Sequence, residues 1–368
     1  MPHCPQGRVS VYHSCTTICS TKIFGNTSTG GTHNAGTIYS LFSSGRGGFT
    51  EQLQLSYTPS ETGSGPTGPV IGRSYYGPFF GMASQGGTFD KGTAVELRGF
   101  KGSNAVLSFD RRNGAFPAGG LTRLGSDTYY TATSAGGRYD RGAIVSITAA
   151  HKKLRPKVLY SFSGKSDGEH PNSELTFGFF GSSYYGTTAG SKSAPATVYA
   201  YVPGHGLTTL YTFGTSRDGV TPNGVVPVGS TKKIRLFGTT LKGGSSGYGT
   251  LYELKPNGSS YTKVTLHTFA GGAADGAYPH GPPIHAGGGR PALWVVTTSG
   301  GRGGCGTIFS FGLSSGEHAL LYSFTCGADG AYPEAPIIFD GGYGNLLYGT
   351  TSAGGTANDG VVFSFMAP

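Results

Sequence analysis

Leu347-Tyr348-Gly349-Thr350-Thr351-Ser352-Ala353-Gly354-Gly355-Thr356-Ala357-Asn358-Asp359-Gly360-Val361-Val362-Phe363-Ser364-Phe365 reads as two short strands joined by a glycine-bearing turn. Small and β-branched residues make the first strand, the Gly354-Gly355 doublet turns the chain, and β-branched and aromatic residues mark the second. The same phrase recurs at Phe24-Gly25, Phe80-Gly81, Tyr130-Thr131, Tyr185-Gly186, Phe237-Gly238, Val295-Val296 and Tyr348-Gly349. Successive copies stand 56, 50, 55, 52, 58 and 53 residues apart, about 54 on average. A unit of that size cannot bury both its faces alone, so the copies must stack on one another.

Working outward from the phrase completes the unit. Leu236-Phe237-Gly238-Thr239-Thr240 and Thr250-Leu251-Tyr252-Glu253-Leu254 flank a glycine turn, and Val264–Phe269 follows the Pro256-Asn257-Gly258 turn. A loop carrying Asp275-Gly276-Ala277-Tyr278-Pro279 then leads to a short apolar strand near Ile284. Four short strands separated by Gly, Pro and Asn turns describe one blade of a propeller. The sequence therefore predicts an all-β, seven-bladed β-propeller with four-stranded blades, a single domain over residues 1–368. In order from the centre, strand a follows the proline, b is the Tyr-Gly-Thr-Thr piece, c is Gly-Thr-Val-Phe-like and d is Leu-Tyr-Ser-Phe-like. The doublet glycine and the next loop glycine are five apart in six units, as in Gly87/Gly92 and Gly355/Gly360; the fourth unit departs, with Gly190 followed by Ser191–Ala196. Strand d recurs six times, at Leu55, Leu107, Leu159, Leu210, Leu266 and Leu321, one short of the b–c count. Residues 8–13 supply an alternating segment, and the expectation is that they close the ring as the outer strand of blade seven.

The 22 Phe and 22 Tyr provide the cores, and the 67 glycines belong to the turns. The net charge of +9 is scattered, with no basic run of five, which argues against a nucleic-acid partner. No stretch approaches the roughly 20 apolar residues of a membrane-spanning helix. Cys4, Cys15, Cys19, Cys305 and Cys326 form no CxxC pair, so the sequence calls for neither zinc nor another cofactor. Cys305 in a b–c loop and Cys326 just past strand d of the same blade are expected to form a disulfide, with two of the three N-terminal cysteines forming another. Asn26-Thr27-Ser28 and Asn257-Gly258-Ser259 match the glycosylation triplet.

The run LYSFTCGADGAYPEAPIIFDGGYGNLLYGTTSAGGTANDGVVFSF resembles the GloVer tandem repeat of bacterial secreted and surface proteins. The resemblance spans nearly the whole chain, strongest in units three, five and seven. It implies a propeller and an extracellular or cell-surface setting, and it brings no catalytic residues with it. Kelch repeats share the glycine doublet, but their outer-strand tryptophan has no equivalent here, where Trp294 is the sole Trp.

The Asp-Gly-x-x-Pro loop recurs at Asp167, Asp218, Asp275 and Asp329, with Asn113–Pro117 as a variant. Repetition points to turn capping, because one carboxylate per loop falls short of a calcium site. An enzyme would need non-repeated groups, and the carboxylates of that kind are Glu51, Glu61, Asp127, Glu169, Glu174, Glu317 and Glu334. No GxSxG, HExxH or phosphate loop accompanies them. The expected role is non-catalytic binding or adhesion, contacting a glycan or protein through the b–c and d–a loops, which emerge on one face. The alternatives are a self-associating structural subunit of an extracellular assembly and a polysaccharide-acting enzyme. Those loops vary most usefully in Phe89, Asp90, Lys91, Arg111, Arg112, Arg138, Tyr139 and Arg141, a basic–aromatic patch in blades two and three; Glu169, His170, Arg217, Tyr278, His280 and Tyr332 add to the same face.

Overall fold

A computed structural model describes residues 10–15, 19–43, 48–72, 77–97, 105–123, 127–150, 153–178, 182–229, 233–258, 260–286, 291–339 and 346–366. Seven antiparallel sheets follow one another along the chain and form a ring, the seven-bladed propeller that the repeat demands. Blade two shows the plan: strand a Ser64–Gly72, b Phe79–Gln85, c Thr93–Leu97 and d Ala105–Ser108. In blades three and six strand a is split into two pieces, both paired to strand b. The alternate residues of b and c are buried against neighbouring blades on both sides, which is why these strands are apolar nearly throughout.

Each core cluster lies between two successive blades. Phe80, Leu107 and Phe109 of blade two meet Leu121, Tyr129 and Val145 of blade three. Equivalent clusters fill the other junctions between consecutive blades, and all are anchored by a buried aromatic at the end of strand d: Tyr57, Phe109, Phe162, Phe213, Phe269 or Phe324. In every case but Phe213, which donates to Ala196 O, the N–H of that aromatic donates to the carbonyl of the b–c loop glycine, as from Phe109 to Gly92 at 3.0 Å and from Phe324 to Gly306 at 3.0 Å. The recurring Leu-Tyr-Ser-Phe signature is therefore a blade-to-blade wedge as well as a strand.

The N-terminal segment does not close blade seven. Ser10–Cys15 pairs with Cys19–Thr27, placing Ser10 opposite Phe24 just as Ile338 stands opposite Tyr348. It is the innermost strand of blade one; residues 8 and 9 lie outside the described residues. Blade seven has three strands among the described residues, Ile338–Phe339, Leu346–Thr350 and Val362–Met366. Among the described residues the ring closes through side chains, with Ile23 and Tyr348 buried among Val11, Leu41, Ile338, Leu346 and Val362. Six d strands stand among the described residues, as expected, but the N-terminal strand belongs to blade one and not to blade seven. Strand alternation shows that a segment pairs, but not to which edge.

Two smaller revisions follow from register. Thr297 pairs with Thr307 as Thr240 pairs with Thr250, so the sixth phrase begins at Trp294-Val295 and not Val295-Val296. Asn26 is 1% exposed and donates its side-chain amide to Gly68 O at 2.8 Å, so its triplet is inaccessible to glycosylation in the folded chain. Cys305 and Cys326 are joined, with Cα atoms 5.5 Å apart. A cross-link closing a loop of this length contributes about 3 kcal/mol in the chain-entropy view. Cys4 lies outside the described residues, and of the other two only the backbone is described, with Cys15 opposite Cys19.

Candidate functional site: the loop face and the central cavity

The b–c loop of one blade and the d–a loop entering the next are hydrogen-bonded to each other, so they share one face. The N–H of the residue before the loop proline donates to the preceding blade's b–c loop: Phe116 to Lys91 O at 2.8 Å, His170 to Arg141 O at 2.9 Å, Tyr278 to Tyr248 O at 2.8 Å and Tyr332 to Cys305 O at 2.8 Å. Phe116, His170, Thr221, Tyr278 and Tyr332 all take φ between 54° and 58°. Left-handed backbone costs a non-glycine residue about 1–3 kcal/mol and persists only where its surroundings over-determine it. For Phe116, His170, Tyr278 and Tyr332 the bond and the following proline do so, while the side chain stays free to vary. The residue after the proline points to the ring centre instead. Thr67, Ala118, Asn172, Asn223, His280 and Glu334, one from each of six successive blades, line a central cavity of about 510 Å³ together with Ser28, Ser84 and Glu174. Two of the non-repeated carboxylates, Glu174 and Glu334, thus reach one cavity.

The aspartates of the repeated loops have a different duty. Asp167 accepts the Tyr160 hydroxyl at 2.9 Å and the Ser163 N–H at 2.7 Å, and Asp329 accepts Tyr322 and the Thr325 N–H at 2.9 Å each. Asp218 takes the Tyr211 hydroxyl at 2.7 Å, and Asp275 faces His267 at 3.1 Å. Burial raises the Asp167 carboxyl, but the hydrogen bonds from Ser163, Tyr160 and Lys165 outweigh it and hold the group below its ordinary value. Its partner Tyr160 is pushed up to about 12, first by burial and then by that bond. These are caps that tie the loop to strand d.

The predicted basic–aromatic patch resolves into two groups. Phe89 and Tyr139 are 54% and 49% exposed, Arg138 lies 5.5 Å over the Tyr139 ring, and Lys91 lies 5.1 Å over Phe116. Arg112 is exposed beside Arg111, which pairs with Asp140 across the adjoining loops. Asp90 is instead a turn residue, at φ 53° with its carboxylate accepting the Gly86 N–H at 3.1 Å, as Asp140 does for Gly136 at 2.9 Å. Arg141 is bound inward to Glu169, whose side chain is 1% exposed and also accepts from Ser191 and Ser193. Ser191 and Ser193 come from the irregular loop of blade four, so that departure from the repeat houses a buried carboxylate. Arg141→Ala strands that carboxylate, and the expected loss is roughly 2–3 kcal/mol, below the ~3–5 for a wholly buried pair because Arg141 is partly solvated. Arg138→Ala should move stability by under about 0.5 kcal/mol. Parallel denaturant titrations check the contrast, and equal midpoints would show that Arg141 has no structural role.

On the far side of the ring, Lys242, Tyr278, His280, Thr298, Tyr332 and Glu334 line a second cleft of about 450 Å³. Tyr278, His280 and Tyr332 were legible as variable loop residues. Lys242, Asn172 and Asn223 were missed, although the place immediately after each loop proline would have found the two asparagines.

The profile of the Gloeobacter/Verrucomicrobia repeat matches residues 12–194 and 180–368. The chain belongs to that family. No curated protein matches this member of the Gloeobacter/Verrucomicrobia repeat family in sequence. Among solved structures it is similar to the BP39L lectin from Burkholderia pseudomallei, with a TM-score of 0.59 at 10% identity over 99% of this chain and 96% of that one. A mutant of AofleA from Arthrobotrys oligospora gives 0.47 at 9% identity over 86% and 89%, and the Aleuria aurantia lectin 0.44 at 11% over 87% and 96%. At these identities the likeness of the repeat-family chain to BP39L concerns the fold alone.

Proposed function

We propose that this protein is a non-catalytic binding propeller of the extracellular space or cell surface, recognising a glycan through its b–c and d–a loop face. The observation that carries the reading is a cluster of side chains on that face: exposed Phe89 and Tyr139 beside Arg112 and Arg138, with Lys91 over the neighbouring Phe116 ring. Aromatic faces with charged neighbours suit sugar rings that bear acidic groups. Support comes from BP39L, a lectin that shares the architecture, and from the disulfide, which suits an oxidising compartment. No helix among the described residues is long and apolar enough to cross a membrane.

The test is binding of acidic and neutral oligosaccharides to the parent and to a Phe89→Ala, Arg138→Ala, Tyr139→Ala variant. Arg141 is left in place because the fold needs it. The triple change should weaken the acidic ligand more than tenfold, about 1.4 kcal/mol. A variant that binds like the parent removes this patch from the reading, and self-association lost in the variant would make it a subunit contact. The polysaccharide-acting alternative has one observation in its favour, the meeting of Glu174 and Glu334 in the central cavity. Reducing-end release from any bound oligosaccharide would establish it.

A further inference from the structure

The cleft over blades five to seven has a construction that the basic patch lacks. Its two aromatic walls, Tyr278 and Tyr332, hold the left-handed backbone described above, each fixed by its N–H to the preceding blade. Tyr278 is further braced by the edge of Tyr248 at 5.4 Å, and its carbonyl accepts the Thr298 hydroxyl at 3.2 Å. Tyr332 is 44% exposed, and its carbonyl accepts the hydroxyl of Ser352 at 2.9 Å. The carbonyl that anchors the Tyr332 N–H belongs to Cys305, which is tied to Cys326. The disulfide therefore lies at the base of the most exposed ring of the cleft. Walls held this firmly lose little freedom when a ligand arrives.

Charge separates this cleft from the patch. Lys242 and Glu334 supply one cation and one carboxylate, with His280 between polar neighbours, so the cleft favours neither acidic nor basic ligands. His280 and Glu334 also line the central cavity, so cleft and cavity adjoin at these two side chains. Both volumes lie within the range of about 300–1,000 Å³ usual for ligand sites. Flat rings above, hydrogen-bonding groups at the junction and balanced charge suit a polyhydroxylated chain longer than one ring.

We infer that this cleft and cavity form a second binding site, for a neutral oligosaccharide that lies along Tyr278 and Tyr332 and directs one end past His280 and Glu334 into the ring centre. The inference rests on the glycan-binding reading of the loop face. It differs from that reading in place and in ligand charge.

Calorimetric titration with neutral hexasaccharides of β-1,4-glucan, β-1,3-glucan, xylan and α-mannan, alongside an acidic oligogalacturonate, tests it. At least one neutral hexamer should bind, and Tyr332→Ala and Glu334→Gln should each weaken it tenfold or more. Both residues are exposed, and unchanged thermal unfolding checks the fold of each variant. Mild reduction of the Cys305–Cys326 bridge should weaken the neutral ligand several-fold and leave the acidic one as it was. The patch variant should show the converse pattern. Neutral binding that survives Tyr332→Ala and Glu334→Gln, or is lost only in the patch variant, overturns this site while leaving the glycan-binding reading intact. Failure of the parent to bind any oligosaccharide overturns both.

Discussion

Gly92→Ala is expected to destabilise the protein by roughly 3–4 kcal/mol, an unusually large effect for one added methyl group. Gly92 has φ +91°, and a Cβ there would lie 2.6 Å from the Ala83 carbonyl and 2.6 Å from Cδ of Pro117 in the next blade. Glycine against proline is the standard junction of this ring: Gly36 meets Pro66, Gly142 meets Pro171, Gly249 meets Pro279 and Gly306 meets Pro333. Neither partner can give way easily, because the proline starts the next blade and the glycine carbonyl is held by Phe109. For a chain of 368 residues the loss corresponds to a fall in Tm of about 4 °C if unfolding is two-state. Blade four supplies the control. Its counterpart is Ala196, whose carbonyl accepts the Phe213 N–H at 2.9 Å and whose φ is not positive. Ala196→Gly should therefore cost only about 1 kcal/mol or less. Similar melting curves for the two variants would show that the junction is looser than its geometry implies.

Tyr348→Ala should have a comparable cost, about 3 kcal/mol, and a distinctive location. The junctions between blades one to seven in sequence each bury seven to twelve apolar residues, whereas the closing junction has Ile23 and Tyr348 as its fully buried pair among the described residues. Removing Tyr348 takes away half of that pair. Hydrogen exchange should then show Leu346–Thr350 and Val362–Met366 losing protection well before the strands of blade three. Tyr129→Ala, a comparable cavity within the largest cluster, should instead lower protection throughout. If both variants exchange alike, the closing junction is no weaker than the others.

Much of this was legible in the sequence because it depends on local, repeated chemistry. Glycine doublets, strand alternation and prolines are set by backbone constraints that act within a few residues, and seven copies average out the noise. The shared loop face and the Cys305–Cys326 pair followed from the same repeat. What escaped depends on partners far along the chain. Arg141 reads as a loop cation until Glu169 is seen buried beneath it, and Asp90 reads as a ligand until its φ and its bond to Gly86 are known. Glu334 was visible only as one carboxylate among seven, since nothing local tells which of them reaches the axis.

The side-chain closure has a consequence for how such a chain changes over generations. Because Ser10–Cys15 belongs with blade one, no described blade is stitched together from the two ends of the polypeptide. Among the described residues, each blade is one uninterrupted stretch of the polypeptide. A single in-frame duplication or loss therefore adds or removes a whole structural unit, leaving every remaining sheet complete. The new ring need only re-form one greasy contact, of the kind that Ile23 and Tyr348 make, and requires no exchange of hydrogen-bonded strands. Rings of differing blade number are thus a short mutational distance apart.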